Sequence, residues 1–180
     1  EFVLPSTLKT IFNGAFENTR MERINFPDGL ERICQAAFQG SGELHEAILP
    51  NSCQEIELGA FSMCDSLKNL RLPEGLKVIP HLLVSYSNAL DSIHIPSSVK
   101  EIGACAFSMC TKLRKVNFPE GLERIESEAF DYCNLDSVIL PSTITEIGSG
   151  CFIGGVRGDV FINRSAPPTC IHPRLPFTTF

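Results

Sequence analysis

The sequence predicts a right-handed solenoid of about seven short units, rich in β-structure, with a parallel sheet along one face. Three observations predict it. Leu-Pro or an equivalent recurs at Pro5, Pro27, Pro50, Pro73, Pro96, Pro119 and Pro141, in steps of 22 or 23 residues. A second marker keeps the same step, at Phe16, Phe38, Phe61, Val84, Phe107, Phe130 and Phe152. Finally, a unit of this length cannot bury its own apolar side, so neighbours must stack and share one continuous core.

Each element follows from the unit L-x-x-L-x-L-P-x-x-L-x-x-I-x-x-x-A-F-x-x-C-x-x, clearest from Leu67 to Ile79 and again from Leu113 to Ile125. Its first segment ends in alternating apolar residues, as at Leu70 and Leu72 or Val138 and Leu140. That pattern predicts a short strand with one face inward. Stacked in parallel at ~4.8 Å per unit, seven such strands make a sheet on the order of 30 Å long. Proline has no N–H to give to a ladder, so it ends the strand. A turn follows, at Asp28-Gly29, Glu74-Gly75 and Glu120-Gly121 or at Ser-Thr and Ser-Ser pairs. The next L-x-x-I carries two core anchors back along the opposite side, and A-F plugs the interior before a polar turn. The convex side is therefore expected to hold short strands with turns or 3-10 segments. Unit four departs, with Ile79-Pro80-His81-Leu82-Leu83-Val84 in place of I-G-x-x-A-F, which predicts a local irregularity.

This unit resembles the BspA-like, treponemal-type leucine-rich repeat, and the resemblance covers nearly the whole chain. It implies a leucine-rich-repeat solenoid of the β-rich α/β horseshoe type, and a bacterial protein that is secreted or held at the cell surface. Adhesion to matrix proteins or other cells is attributed to some members. The segment from Ile162 to Thr169, with Pro167-Pro168, resembles the strand and Pro-Pro segment that closes such arrays, so residues 160–180 are expected to end the domain. One departure is the missing asparagine ladder: its place is taken by Gly29, Gly75 or Ser98, so a different turn must satisfy those backbone groups. Residues 1–180 are read as one repeat domain. The opening Phe2-Val3-Leu4-Pro5 lacks the first part of a unit, so a longer parent chain is expected.

Composition excludes several functions. The net charge is -6, the pI is near 5.2, and no run of like charges occurs, which argues against nucleic acid or a polybasic membrane patch. No apolar stretch approaches the ~18 residues of a membrane span. The eight cysteines form no C-x-x-C and no cluster with metal-ligand spacing. Cys64, Cys110 and Cys133 instead lie three residues after the Phe, a slot filled elsewhere by Thr19, Ser41 and Ser87, so the position asks for a small side chain. Cys53 takes an apolar slot, and Cys105 and Cys151 fall beside the plug. They read as buried thiols, with a Cys110 to Cys133 bridge between adjacent units as the alternative. His45, His81, His94 and His172 stand in different units or slots, and no Ser/His or Cys/His pair shares one, so no metal site, cofactor or catalytic residue is assigned. Asn163-Arg164-Ser165 fits the glycosylation pattern but reads as strand-exit polarity.

The sheet face is the working surface that this pattern predicts. Its outward positions form a stripe with five basic and four acidic residues, against the acidic whole. Lys68 with Arg71, and Arg114 with Lys115, would flank Asp91 across the middle of the sheet, with His94 and Asn117 beside them. The acid is expected on the other face, at Glu55, Glu57, Glu101, Glu123, Glu126 and Glu128. Such a face can offer complementary charge and shape to a protein such as a host matrix or cell-surface partner. Phe161 is the one aromatic in this stripe, which argues against a sugar-stacking groove. Arg157-Gly158-Asp159 matches the cell-attachment tripeptide, yet its place is the lead-in to the last strand, where Gly and Asp suit a turn. The function expected is a monomeric, non-catalytic interaction or adhesion module; a structural spacer is the alternative, and an unrecognised enzyme a weaker one.

Overall fold

The computed structural model describes residues 2–162 and 170–171, which coil into stacked rungs. Each rung contributes one strand to each of two lines. The first line holds β1 (Phe2–Val3), β3 (Ile24–Asn25), β5 (Glu46–Ile48), β7 (Asn69–Arg71), β9 (Ser92–His94), β11 (Lys115–Asn117), β13 (Val138–Leu140) and β15 (Val160–Ile162). In β5, β7 and β9 the middle residue points inward, as Ala47, Leu70 and Ile93 do, and its flanks point out, whereas β13 is offset by one residue, with Ile139 pointing out between buried Val138 and Leu140. The second line holds β2 (Thr10–Ile11), β4 (Arg32–Ile33), β6 (Glu55–Ile56), β8 (Val78–Ile79), β10 (Glu101–Ile102), β12 (Arg124–Ile125), β14 (Glu146–Ile147) and β16 (Cys170–Ile171). Every pairing is parallel. Among the described residues there is no helix and no 3-10 turn, so the convex side consists of short strands and turns alone. Pro167-Pro168, Asn163-Arg164-Ser165 and His172 lie outside the described residues.

The convex side carries a third backbone ladder that the sequence pattern does not announce. At the plug of the first six rungs, residues two before, at, and two after the Phe position donate N–H groups to the next rung. Ala36, Phe38 and Gly40 thus reach Leu58, Ala60 and Ser62 at 3.0, 2.8 and 2.9 Å. The residues between them make i to i-3 turn bonds instead, as Gln39 does to Ala36 at 3.1 Å. This alternation requires a left-handed backbone at two positions per rung. One is held by Gly14, Ala36, Gly59, Leu82, Cys105, Glu128 and Gly150, the other by Asn18, Gly40, Met63, Tyr86, Met109, Tyr132 and Gly154. Nine of these are not glycine, each carrying a cost of roughly 1–2 kcal/mol that the ladder bonds and the buried plug offset.

The plug is a column of stacked rings. Phe16, Phe38 and Phe61 stack at 5.2 and 5.0 Å, and Phe107, Phe130 and Phe152 at 5.0 and 5.7 Å. Val84 separates the two stacks. The irregularity expected at unit four does not reach the plug: Leu82, Val84 and Tyr86 donate to Ala104, Ala106 and Ser108 at 3.0, 3.0 and 2.9 Å. The reason is volume. Leu83 replaces the usual Ala as Val84 replaces Phe, and both are fully buried, so the rung is filled without distortion. The departure is felt in the second strand line. There the residue after the strand donates one rung back, as Cys34 does to Ile11, Glu57 to Ile33 and Gly103 to Ile79, each at 2.9 Å. Pro80 has no N–H to give to Ile56, and the sheet breaks there into β2-β4-β6 and β8-β10-β12-β14-β16.

Two further columns explain how the rungs are joined without an asparagine ladder. The second residue after the proline alternates strictly: Thr7, Gly29, Ser52, Gly75, Ser98, Gly121, Thr143. Each of the last three hydroxyl residues bonds back to the glycine turn one rung before. Ser52 donates to Asp28 and Leu30 carbonyls, both at 2.6 Å, and Thr143 to Glu120 and Leu122 at 2.8 and 2.7 Å. Ser98 accepts from the Gly75 N–H at 2.9 Å and donates to the Leu76 carbonyl at 2.8 Å. The first strand line shares this two-rung period, since it pairs as β1-β3, β5-β7, β9-β11 and β13-β15. Every break in that line is therefore bridged by a hydroxyl.

The second column is the slot three residues after the plug. Ser41, Cys64, Ser87, Cys110 and Cys133 donate to the carbonyls of Phe16, Phe38, Phe61, Val84 and Phe107 one rung back, at 2.7, 3.2, 3.2, 3.2 and 3.1 Å. In these five rungs the slot is filled by a small donor, and in the last rung Gly155 takes it with no side chain at all. The described cysteines whose side chains are placed, Cys34, Cys53, Cys64, Cys105, Cys110, Cys133 and Cys151, are free thiols, so the alternative Cys110 to Cys133 bridge is not formed.

Candidate functional site

The first strand line presents its outward residues as columns running across the rungs. The lead-in column reads Glu22, His45, Lys68, Asp91, Arg114, Asp136, fixed by N–H groups that donate one rung back from His45 to Glu22, from Lys68 to His45 and from Arg114 to Asp91, at 3.0, 3.0 and 2.8 Å. Charge alternates from Lys68 to Asp136. Arg114 is drawn to the Asp136 end, with Nε and Nη2 at 3.1 and 2.9 Å from Oδ1. It is neutralised there and does not join Lys115 as a free basic pair.

Lys68, Arg71 and Lys115 are exposed and, among the described residues, have no ion-pair partner. Their register is fixed by the ladder, which sets Lys115 against Ser92 and Arg71 against Ile48. Asp91 lies at the edge and accepts the Ser92 hydroxyl at 2.9 Å. Asn117 is opposite His94. Its amide accepts from the Ile95 N–H at 2.9 Å and donates to the Ile95 carbonyl at 3.2 Å, so it clamps the neighbouring strand.

A column near the strand ends contains no carboxylate: Asn25, Ile48, Arg71, His94, Asn117, Ile139, Phe161. Ile48, Ile139 and Phe161 are 45%, 62% and 55% exposed. Ile48 and Arg71 line a groove of about 380 Å³ with Asn25, Glu46 and Asn51.

The other face is built differently. Acid does gather there, but four of its cations are paired with it: Arg32 with Glu55 at 3.2 Å and with Glu57, Arg124 with Glu101 and with Glu146 at 3.9 Å, Lys9 with Glu31 at 2.8 Å, and Lys100 with Glu123 at 3.2 Å. Lys77 of the same line, like Lys68, Arg71 and Lys115 of the first, is exposed and has no ion-pair partner among the described residues.

His81 Nδ1 accepts from the Ala104 N–H at 2.9 Å beside Glu126 at 3.3 Å, a contact between turns of adjacent rungs. Burial pushes the Cys53, Cys64 and Cys110 thiols up to about 12, the reverse of what a reactive thiol needs. Asp131 takes the place of the buried Ser62, Ser85 and Ser108; its Oδ1 has no partner, and burial raises its carboxyl above the usual range. No group of three His, Cys, Asp or Glu among the described residues could hold a metal ion.

Arg157-Gly158-Asp159 is exposed but stitched to the preceding rung. The Arg157 N–H donates to Leu135 at 2.8 Å, and the Asp159 carbonyl accepts from Val138 at 3.1 Å. A Cβ on Gly158 would meet the Asp136 carbonyl at 2.3 Å, so glycine lets the two backbones close together here. A feature the pattern missed is the convex row Met63, Tyr86, Met109 and Tyr132, of which Met63, Tyr86 and Tyr132 are 48%, 47% and 53% exposed. The signal was present as the second residue after the Phe.

Two stretches, residues 1–88 and 79–156, match the model of the BspA type leucine-rich repeat region, with six copies of the repeat. The chain belongs to the BspA-type leucine-rich repeat family. Among curated proteins none matches this BspA-type chain. Solved structures do. A leucine-rich repeat protein of Eubacterium ventriosum is 27% identical with a TM-score of 0.78, over 95% of this chain and 45% of that one. The T. pallidum leucine-rich repeat protein is 29% identical with a TM-score of 0.70, over 89% of this chain and 72% of that one. A leucine-rich cell surface protein of Faecalibacterium prausnitzii shares the fold at 20% identity and a TM-score of 0.78, over 93% of this chain and 48% of that one. The BspA-type chain thus spans under half the length of the Eubacterium and Faecalibacterium proteins.

The BspA-type repeat is a scaffold typical of non-enzymatic interaction proteins. No helix of the described residues is long and apolar enough to cross a membrane.

Proposed function

We propose that this BspA-type array is a non-catalytic protein-interaction module of an extracellular or cell-surface protein, working through its first strand line. The observation that carries the reading is a set of three exposed cations on the first strand line with no ion-pair partner among the described residues. Cross-rung carboxylates neutralise Arg32, Arg124, Lys9 and Lys100 on the second line, while Lys68, Arg71 and Lys115 stand exposed and unpaired on the first, with Arg71 lining a groove. An unneutralised, rigidly spaced set of side chains on a parallel sheet offers complementarity to a macromolecule without any chemistry. The cell surface protein of Faecalibacterium supports the location by analogy of fold.

The test is recovery of host matrix and serum proteins by the chain and by a Lys68→Glu, Arg71→Glu, Lys115→Glu variant. Arg114 is left intact because its reversal would also disturb Asp136. Loss of bound protein in the variant is expected. Equal recovery removes the sheet face and leaves the spacer role, in which the array only holds other domains apart. The Arg157-Gly158-Asp159 tripeptide is a separate and lesser attachment candidate, and full cell adhesion by an Asp159→Glu variant would end it.

A further inference from the structure

The column Ile48, Arg71, His94, Asn117, Ile139, Phe161 has a chemical order that the charge census alone does not show. Its middle is cationic or polar, joined from the next column by Lys115, and exposed apolar residues flank that middle, Ile48 on one side and Ile139 and Phe161 on the other. We infer that the partner of this face is an extended acidic peptide segment, laid across the rungs with carboxylates at its centre and an apolar side chain at each end. This rests on the sheet-face reading proposed above.

Charge complementarity sets the centre. Lys68, Arg71 and Lys115 make no ion pair among the described residues, and the column of Arg71 contains no carboxylate, so an incoming acid meets unpaired cations. Asn117 is held by Ile95, which leaves the cations and His94 as the polar contacts. The ends exclude the other polyanions. A sulfated glycan or a nucleic acid would use the three cations and would leave Ile48, Ile139 and Phe161 wet, whereas a peptide covers both kinds of surface.

Spacing sets the length. Ile48 and Ile139 are four rungs apart, about 19 Å at the spacing of stacked strands, and an extended chain covers that with about six residues at ~3.3 Å each. Six is an even number, so the two apolar side chains of an extended segment fall on the same face, toward the sheet. The partner segment is therefore an apolar residue, an Asp- or Glu-rich stretch, and a second apolar residue about six positions on.

A displayed library of random linear peptides, selected on the wild-type chain, tests this directly. The inference expects enriched sequences with acidic centres between apolar residues about six apart. Their binding should weaken at least about tenfold in a Lys68→Gln, Arg71→Gln, Lys115→Gln variant, weaken similarly in Ile48→Asp, Ile139→Asp, and fall as salt screens the charges. All five residues are exposed on the sheet face, so thermal unfolding serves as the check that each variant folds. Enriched sequences without acid that still lose binding in Ile48→Asp, Ile139→Asp would overturn the acidic partner and keep the sheet-face reading. Peptides indifferent to both variants would overturn both. A heparin fragment that competes with full effect, and whose own binding ignores the isoleucine variant, would replace the peptide by a glycan.

Discussion

The Ser98 hydroxyl donates to the Leu76 carbonyl one rung back at 2.8 Å while accepting the Gly75 N–H at 2.9 Å. It does this at the break between β7 and β9, where no ladder joins the strand bearing Arg71 to the strand bearing His94. One side chain therefore helps hold the register of the candidate face. Ser98→Ala strands both backbone groups and is expected to cost about 1–3 kcal/mol. Ser98→Thr keeps the bonds, as Thr143 does at the next such break, and is expected to cost little. Urea unfolding of the two variants checks the difference; equal loss would show that shape alone matters there.

The thiol column gives a second prediction. Cys110→Ser retains the donor that reaches Val84, as Ser87 does toward Phe61, whereas Cys110→Ala removes it and should cost about 1–2 kcal/mol. The pH dependence has a definite sign. The ordinary thiol value is near 9, and burial raises Cys53, Cys64 and Cys110 to about 12. Above pH 9 the unfolded chain gives up these protons while the folded chain keeps them. Stability present below pH 9 is thus lost as pH rises toward 12. Chemical unfolding between about pH 8 and pH 10 should show the decline, and serines at Cys64 and Cys110 should reduce it. A flat profile in the parent chain would contradict the burial.

Met63 occupies a left-handed position, with φ 57°, that Asn18 and Gly40 fill in the rungs before it. Asparagine adopts this conformation more readily. Met63→Asn is expected to leave stability unchanged or raise it by up to about 1 kcal/mol, even though an apolar side chain is lost. A clear fall in the melting temperature would mean that the convex row contributes packing beyond its backbone role.

Leu83 and Val84 test the plug. Val84→Phe alone overfills the rung against Leu83 and should cost about 1–3 kcal/mol. Adding Leu83→Ala restores the A-F pair of the other rungs and joins the two phenylalanine stacks through new ring contacts of about 0.5–1.5 kcal/mol each. Recovery in the double variant, read as a coupling in a double-mutant cycle, is the expected outcome. Additive losses would contradict it.

The repeat step, the inward residues and the outward columns were legible because they follow from periodicity, which a chain displays in its own letters. What joins the rungs was harder to see. The left-handed positions are filled by residues as unlike as Gly59, Leu82 and Glu128, because the constraint acts on φ and leaves the side chain to solvent. The alternation of Gly29, Ser52, Gly75 and Ser98 is plain in the sequence, yet its meaning needs the neighbouring rung. Charge pairing was the least legible. Arg114 and Lys115 are adjacent in sequence, but only the rung spacing brings Asp136 to one of them and leaves the other unpaired. Irregularity at unit four was read from Ile79-Pro80-His81-Leu82-Leu83-Val84 in place of I-G-x-x-A-F, and it stays in the strand line because Leu83 compensates for Val84.

The most direct test of the central claim is hydroxyl-radical footprinting of the chain with and without a bound partner recovered from the pulldown. Both faces carry reactive side chains: His94 and Phe161 on the sheet, Met63, Tyr86 and Tyr132 on the convex row. Protection of His94 and Phe161 with the convex row unchanged is the predicted result. Protection of Met63, Tyr86 and Tyr132 with His94 and Phe161 unchanged would contradict it.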